Sequence, residues 1–316
     1  IEDLTPYVEE VDGLRNQFFE PVRGEHDGKV WIMPYSGGNS ALVYNKGLFD
    51  ERGLEPPETM EEFVVLSRQL SDPSSNKFAT QFGLSEANTT GANVCNIGPI
   101  LTSFGGTYVE DRKAAFNSPE GVAALEWMIM LEEEGLAAPG STTVDARGMR
   151  EQMAGGVAAM TFDGAWGTPF YNNYPEIEIG IAPMPEGSNV GTVVNIACWG
   201  ISESSENKEE AWDLLSFLVK PENMLRLFQE GNVMPIIPEY AEMPEFQEKY
   251  AGFLTTLAES ENYFQTGSVP QESELYRLVV QAYQEAFLGA KSPQEALDDA
   301  AAEYDEILAE FYAETE

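Results

Sequence analysis

Apolar residues recur at helical spacing in some stretches of the chain and run unbroken in others, and the two patterns alternate. From Thr59 to Leu70, the residues Met60, Phe63, Val64, Ser67 and Leu70 share one face, which predicts an amphipathic helix. Thr59 stands at the cap position, and Glu62 three residues on completes a capping box. Ser118-Pro119-Glu120 opens a second helix, with Pro119 at its first position, that ends near Gly135. A third spans Ala146 to Ala154 and stops at Gly155-Gly156. Further helices are predicted from Thr5-Pro6, from Asn207, from Pro221 to Gly231, and over about Pro244–Ala258, Glu272–Phe287 and Ser292–Phe311. The apolar runs Lys29–Met33, Ala41–Tyr44, Val157–Phe162, Ile177–Ala182 and Val190–Ile201 read as strands.

Strands alternating with helices give an α/β fold class. The stretch Met33-Pro-Tyr-Ser-Gly-Gly-Asn-Ser40 reads differently: a polar, glycine-containing turn at the mouth of the strand Ala41–Tyr44. Such a turn is a common place for a ligand to sit. A small helix closed by Gly53 follows. No internal repeat or low-complexity linker is visible, so any two lobes must be joined by the strands themselves.

At 316 residues the chain is long enough for two lobes, and its 43% apolar content is ordinary. Its charge is not. Against 17 Lys+Arg stand 54 Asp+Glu, a formal net charge of -37. This balance excludes nucleic acid and anionic membrane surfaces as partners. The acids are dispersed along the whole length, as in proteins that stay hydrated in high salt. Two cysteines, Cys95 and Cys198, sit among small and apolar neighbours and read as two buried free thiols, without metal-ligand spacing. No apolar run is long enough to span a bilayer, and no signal segment is visible. Asn88-Thr89-Thr90 is a glycosylation sequon.

Asp27-Gly28-Lys29-Val30-Trp31, Pro34-Tyr35-Ser36, Tyr44-Asn45-Lys46, Pro57-Glu58-Thr59-Met60-Glu61-Glu62-Phe63, Ala159-Met160-Thr161-Phe162-Asp163-Gly164-Ala165-Trp166 and Asn207-Lys208-Glu209-Glu210-Ala211-Trp212 occur in that order. Together with Gly231, Pro235 and the closing Ala296-Leu297-Asp298-Asp299-Ala300, this order resembles the extracellular sugar-binding proteins of ABC importers, relatives of maltose-binding protein. The resemblance covers nearly the whole chain. It implies a two-lobed periplasmic-binding-protein-like fold with a ligand cleft between lobes and a chain that crosses between them more than once. The implied segments are 1–45 in the N-terminal lobe, 46–197 in the C-terminal lobe, 198–243 returning to the first, and 244–316 packing on the second. The opening Ile1-Glu2-Asp3-Leu4-Thr5-Pro6 resembles a later element of the family, so the first part of the N-terminal lobe is expected to lie outside this sequence.

The resemblance further implies a monomer outside the cytoplasm that captures a sugar and delivers it to a membrane permease, with no cofactor and no metal. Aromatic rings cover the C–H faces of a sugar, and short polar groups pair with its hydroxyls. Trp166, after an apolar strand and the small Gly164 and Ala165, is the expected platform. Asp163 is either a hydroxyl acceptor or a helix cap. Tyr35, Ser36 and Asn39 are expected on the opposite lobe, Glu86 and Asn88 in a ligand-reaching loop, Asn195 on a crossing strand, and Tyr276 near a family aromatic position. Trp127, Trp199 and Trp212 read as core, Trp31 as strand interior, and His26 as a surface turn residue.

Two other readings compete. A glycosidase needs two carboxylates, but with 54 acids such pairs arise anywhere, and the single His26 lies in an unsuitable turn for nucleophilic catalysis. The same fold binding a polyamine, peptide or polyol phosphate would want acids around aromatics or an arginine in the cleft.

Overall fold

The computed structural model describes residues 1–231 and 233–315. Among them run nine strands: β1 Glu25–His26, β2 Lys29–Val30, β3 Met33–Asn45, β4 Val109–Glu110, β5 Lys113–Ala114, β6 Met160–Gly164, β7 Ile179–Ala182, β8 Gly191–Trp199 and β9 Asn262–Gln265. β1 with β2 and β4 with β5 form small hairpins. The other five form one sheet ordered β6-β3-β8-β9, with β7 also on β3. The helices match the periodicity closely: Met60–Leu70, Pro119–Glu133, Ala146–Ala154, Pro221–Gly231, Pro244–Glu259 and Glu272–Phe287.

Capping explains several of these boundaries. Thr59 Oγ1 accepts from the Glu62 N–H, and Glu62 in turn accepts from the Glu58 N–H. Ser118 and Asp145 cap their helices through the Gly121 and Gly148 amides. Ser292 and Glu295 form the reciprocal pair that opens the last helix, Pro293–Thr315.

The expected turn at Met33–Asn39 is strand. β3 is thirteen residues long, and Gly37 and Gly38 lie in its middle. Neither has a positive φ. Their role is close packing: a Cβ on Gly37 would stand 3.0 Å from Ile236 Cγ2, and one on Gly38 3.0 Å from Ala165 Cβ. Trp31 falls in the link between β2 and β3 rather than inside a strand. Cys95 is buried, but Cys198 is exposed, on the part of β8 that extends beyond its pairing with β9.

β3 and β8 are the strands that cross. The first part of β3, to Asn39, pairs antiparallel with Val194–Trp199. From Ser40 it pairs instead with β6, and from Leu42 with β7. β8 makes the matching exchange: Gly191–Val194 pair in parallel with β9, and from Val194 onward β8 pairs with β3.

Two buried clusters cover the sheet. One holds Leu42, Phe63, Phe82, Phe162, Val193 and the helices Glu272–Phe287 and Pro293–Thr315, through Val279, Tyr283 and Tyr304. The other holds Leu4, Val8, Phe18, Met33, Ala41, Val43, Val194, Trp212, Phe228 and Phe253. Leu42 and its neighbours Ala41 and Val43 fall in different clusters because successive strand residues face opposite sides. Each fully buried Leu or Phe contributes about 1.5–3 kcal/mol from removal of apolar surface.

Candidate functional site

The floor of the site comes from the crossing strands. Gly38 stands opposite Asn195 and Ser36 opposite Ala197, so these four share a face. Pro34 has no N–H to give the ladder, and the register slips between Pro34 and Ser36. Tyr35 is the residue passed over in that slip. Its ring stacks on Trp199, with centroids 4.4 Å apart and planes 25° from parallel.

The wall comes from the turn after β6. There Ala165–Asn173 winds as a 3-10 segment and carries Trp166 over the floor. The Trp166 ring lies against two glycines: a Cβ on Gly164 would stand 2.1 Å from its Cζ2, and one on Gly38 3.5 Å from its Cε3. No larger residue fits at Gly164 with the ring in this place. Trp166 is 38% exposed, an unusual state for the largest apolar side chain. With Ser36, Gly37, Ala165, Pro169, Asn195, Ala197, Val233 and Met234 it lines a cavity of about 230 Å³. Asn195 also borders a second, wider groove of about 800 Å³, to which Thr90, Gln265, Thr266 and Glu272 contribute. Thr266 Oγ1 donates to Asn195 Oδ1 at 3.4 Å, tying the two spaces together.

Behind Trp166 lies a buried ion pair. Arg150 donates from Nε to Asp163 Oδ2 at 2.7 Å and from Nη2 to Oδ1 at 2.6 Å. Asp163 Oδ1 also accepts from the Gly164 N–H, and the Cys95 thiol lies 3.5 Å away. Burial pushes the Cys95 thiol up, and the Asp163 charge adds to that. Burial works against the Arg150 cation, but the bonds to Asp163 outweigh it and hold the guanidinium above its ordinary value. Burial also raises the Tyr171 hydroxyl, beside the same pair.

Of the residues expected at the site, Ser36, Trp166 and Asn195 come together around the smaller cavity. The others go elsewhere. Asp163 is fully buried with its carboxylate engaged by Arg150, so it presents no acceptor to a ligand. It does not cap a helix through its side chain either. Asn39 is fully buried at the strand crossing. Tyr276 is 2% exposed and packs edge-on against Phe264 and near Tyr108, inside the first core. Tyr35 is half-buried on Trp199. Glu86 is exposed at the start of a short turn, while Asn88 spends its side chain capping Thr89–Ala92 through the Gly91 N–H. From that loop it is Thr90 that borders the wider groove. Sequence reasoning missed Arg150, Pro169, Val233 and Met234. Pro169 follows Trp166 within the same turn, the one local signal available; nothing local marks Arg150.

A sheet covered on both faces, crossed by two exchanging strands with a cavity at the crossing, is the architecture of a two-lobed binding protein. A solute-binding protein of Thermotoga lettingae bound with α-D-tagatose has this fold, with a TM-score of 0.83 over 98% of this chain and 80% of that one, at 22% identity. Residues 1–225 match the bacterial extracellular solute-binding protein family, and the chain belongs to it. A binding protein of Brucella abortus is 25% identical over 314 residues, 94% of this chain and 73% of its own length. The galactooligosaccharide-binding protein of Bacillus subtilis is 24% identical over 287 residues, 87% of this chain and 65% of its own length. Among the described residues, no helix is long and apolar enough to cross a membrane.

Proposed function

We propose that this protein captures a sugar or short oligosaccharide between its lobes and delivers it to the permease of an ABC importer. The observation that carries the reading is the partly exposed Trp166 ring held over Ser36 and Asn195. An indole face covers sugar C–H groups, and a hydroxyl and an amide meet sugar hydroxyls. The sugars named for the Bacillus subtilis and Thermotoga lettingae relatives support the same chemistry. Closure of the lobes about β3 and β8 would bury the ligand, and the permease would read the closed form. The exchange of strand partners near Asn39 and Val194 supports the first two boundaries of a division into 1–45, 46–197, 198–243 and 244–316; the last segment is not all of one lobe, because the helix Pro244–Glu259 packs its Phe246 and Phe253 into the cluster of Leu4 and Trp212. The protein works as a monomer in this reading.

The site is read as one for binding, with no chemistry performed. The Asp163 carboxylate, on the strand that leads to Trp166, is closed off by Arg150. A polyol phosphate would need a cation in the cavity, and the described residues that line it include neither Arg nor Lys. The test is a thermal-shift screen in high salt against maltose, maltotriose, galactooligosaccharides, spermidine and glycerol 3-phosphate. Ligands that bind only the folded state raise the melting temperature. A saturable shift with a sugar, lost in Trp166→Ala, is expected. A shift with spermidine or glycerol 3-phosphate alone overturns the sugar reading.

A further inference from the structure

We infer that the buried Arg150–Asp163 pair is a positioning device for Trp166, the clamp that fixes the 3-10 turn and so presents the indole at the cleft. The inference builds on the reading of Trp166 as the ligand platform, but it concerns the turn itself and stands or falls without any ligand.

The geometry is specific. The Asp163 carboxylate meets the guanidinium through two parallel short bonds, a bidentate arrangement that fixes both position and plane. One of its oxygens also takes the N–H of Gly164, the first residue toward Trp166. The turn then doubles back so that Gly167 rests on the pair: a Cβ there would stand 2.4 Å from Asp163 Oδ2 and 2.7 Å from Arg150 Nε. Trp166 is thus bracketed by two glycines, one bonded to the carboxylate and the other pressed against it. The ring lies against the backbone of Gly164 and of Gly38, so its place depends on where those backbones are held. The pair connects the turn to the helix Ala146–Ala154, in which Met149 and Met153 are fully buried. The turn is therefore anchored to the core, though Trp166 itself is exposed. A buried ion pair is weak evidence for net stability, because the desolvation of both charges offsets their attraction, and geometric specificity is its better-attested use.

Acrylamide quenching of Trp166 tests this directly. Its emission is obtained as the difference between each protein and the same protein carrying Trp166→Phe. The variant to compare is the double replacement Arg150→Met with Asp163→Leu, which leaves no buried charge unpaired and so keeps the chain folded. Arg150→Lys gives a charge without the two-point fork. The expected result is a higher quenching constant for Trp166 in the double replacement and an intermediate one in Arg150→Lys, with the quenching of the other four tryptophans unchanged. Unchanged Trp166 quenching in a folded double replacement overturns the inference, as does an equal rise at all tryptophans, which signals general loosening. Failure of Trp166→Ala to alter sugar binding would instead remove the platform reading and leave the quenching result to decide the clamp.

Discussion

Asn39 and Val194 stand opposite each other at the point where both crossing strands change partners. Just beyond, Ser40 and Thr192 secure the crossing: the Ser40 N–H donates to Thr192 Oγ1 at 3.1 Å, and the same hydroxyl donates to Ser40 O at 2.9 Å. All of these groups are fully buried. One side-chain hydroxyl therefore substitutes for backbone pairing where β3 leaves β8.

Thr192→Val keeps the branched shape and the strand preference but removes the hydroxyl. The Ser40 amide and carbonyl are then left without that partner inside the protein, at a cost of about 1–3 kcal/mol. Thr192→Ser retains the bonds and should lose much less. Urea unfolding of the three proteins measures this; equal midpoints for Val and wild type would show that the crossing is held by packing alone.

Removing Arg150 alone leaves the Asp163 carboxylate buried without its cation. Arg150→Met is expected to cost about 3–5 kcal/mol, whereas adding Asp163→Leu restores stability to near wild type or above it. Denaturant titration of the single and double variants gives the comparison. A double variant as unstable as the single one would mean that shape, not charge, sets the cost.

Much of this architecture is legible in the sequence, and what is not fails for identifiable reasons. The helix Glu272–Phe287 has the bounds its pattern predicts because apolar periodicity is a local signal. Trp166 is findable because an apolar strand runs into Asp163-Gly164-Ala165-Trp166. Met33–Asn39 is misread as a turn because Pro and paired Gly punctuate turns in most contexts; here the glycines make room for Ile236 and Ala165, which are distant in sequence. Tyr276 is drawn to the cleft by family likeness, yet its helical phase puts it inward with Leu275, Val279 and Val280. Arg150 and Asp163 are thirteen residues apart on different elements, and no periodicity joins them.

Glu272 gives a pH dependence that can be isolated. Burial raises its carboxyl above the ordinary 4.5, against the opposing pull of the Gly267 N–H bond. A carboxyl raised in the folded state is held protonated there more readily than in the unfolded chain. Its contribution is therefore fully present below pH 4.5 and is lost as pH rises through the higher folded value. Glu272→Gln keeps an acceptor for Gly267 and cannot ionise. The melting temperature of Glu272→Gln relative to wild type should thus increase from pH 4 toward neutrality, by a difference that levels off once the carboxyl is ionised. A constant difference across that range would show that Glu272 titrates alike in both states.

The dispersed acids predict the response to salt. Even with every Lys and Arg paired, 37 carboxylates remain over. Their mutual repulsion opposes the compact state, because unfolding moves like charges apart. The Debye length falls from about 10 Å at 0.1 M to about 3 Å at 1 M, so molar salt removes most interactions between exposed charges. Salt also weakens attractive pairs such as Arg68–Glu134 and Arg277–Glu303, but these are exposed and each is worth little. With so few cations to lose and so many anions to relieve, the repulsive part dominates. The melting temperature should rise steeply between 0.1 and 1 M NaCl and flatten above it, where the remaining charges are already screened. Calorimetric scans across that series measure it, and a melting temperature that falls with added salt would show that the exposed pairs outweigh the repulsion.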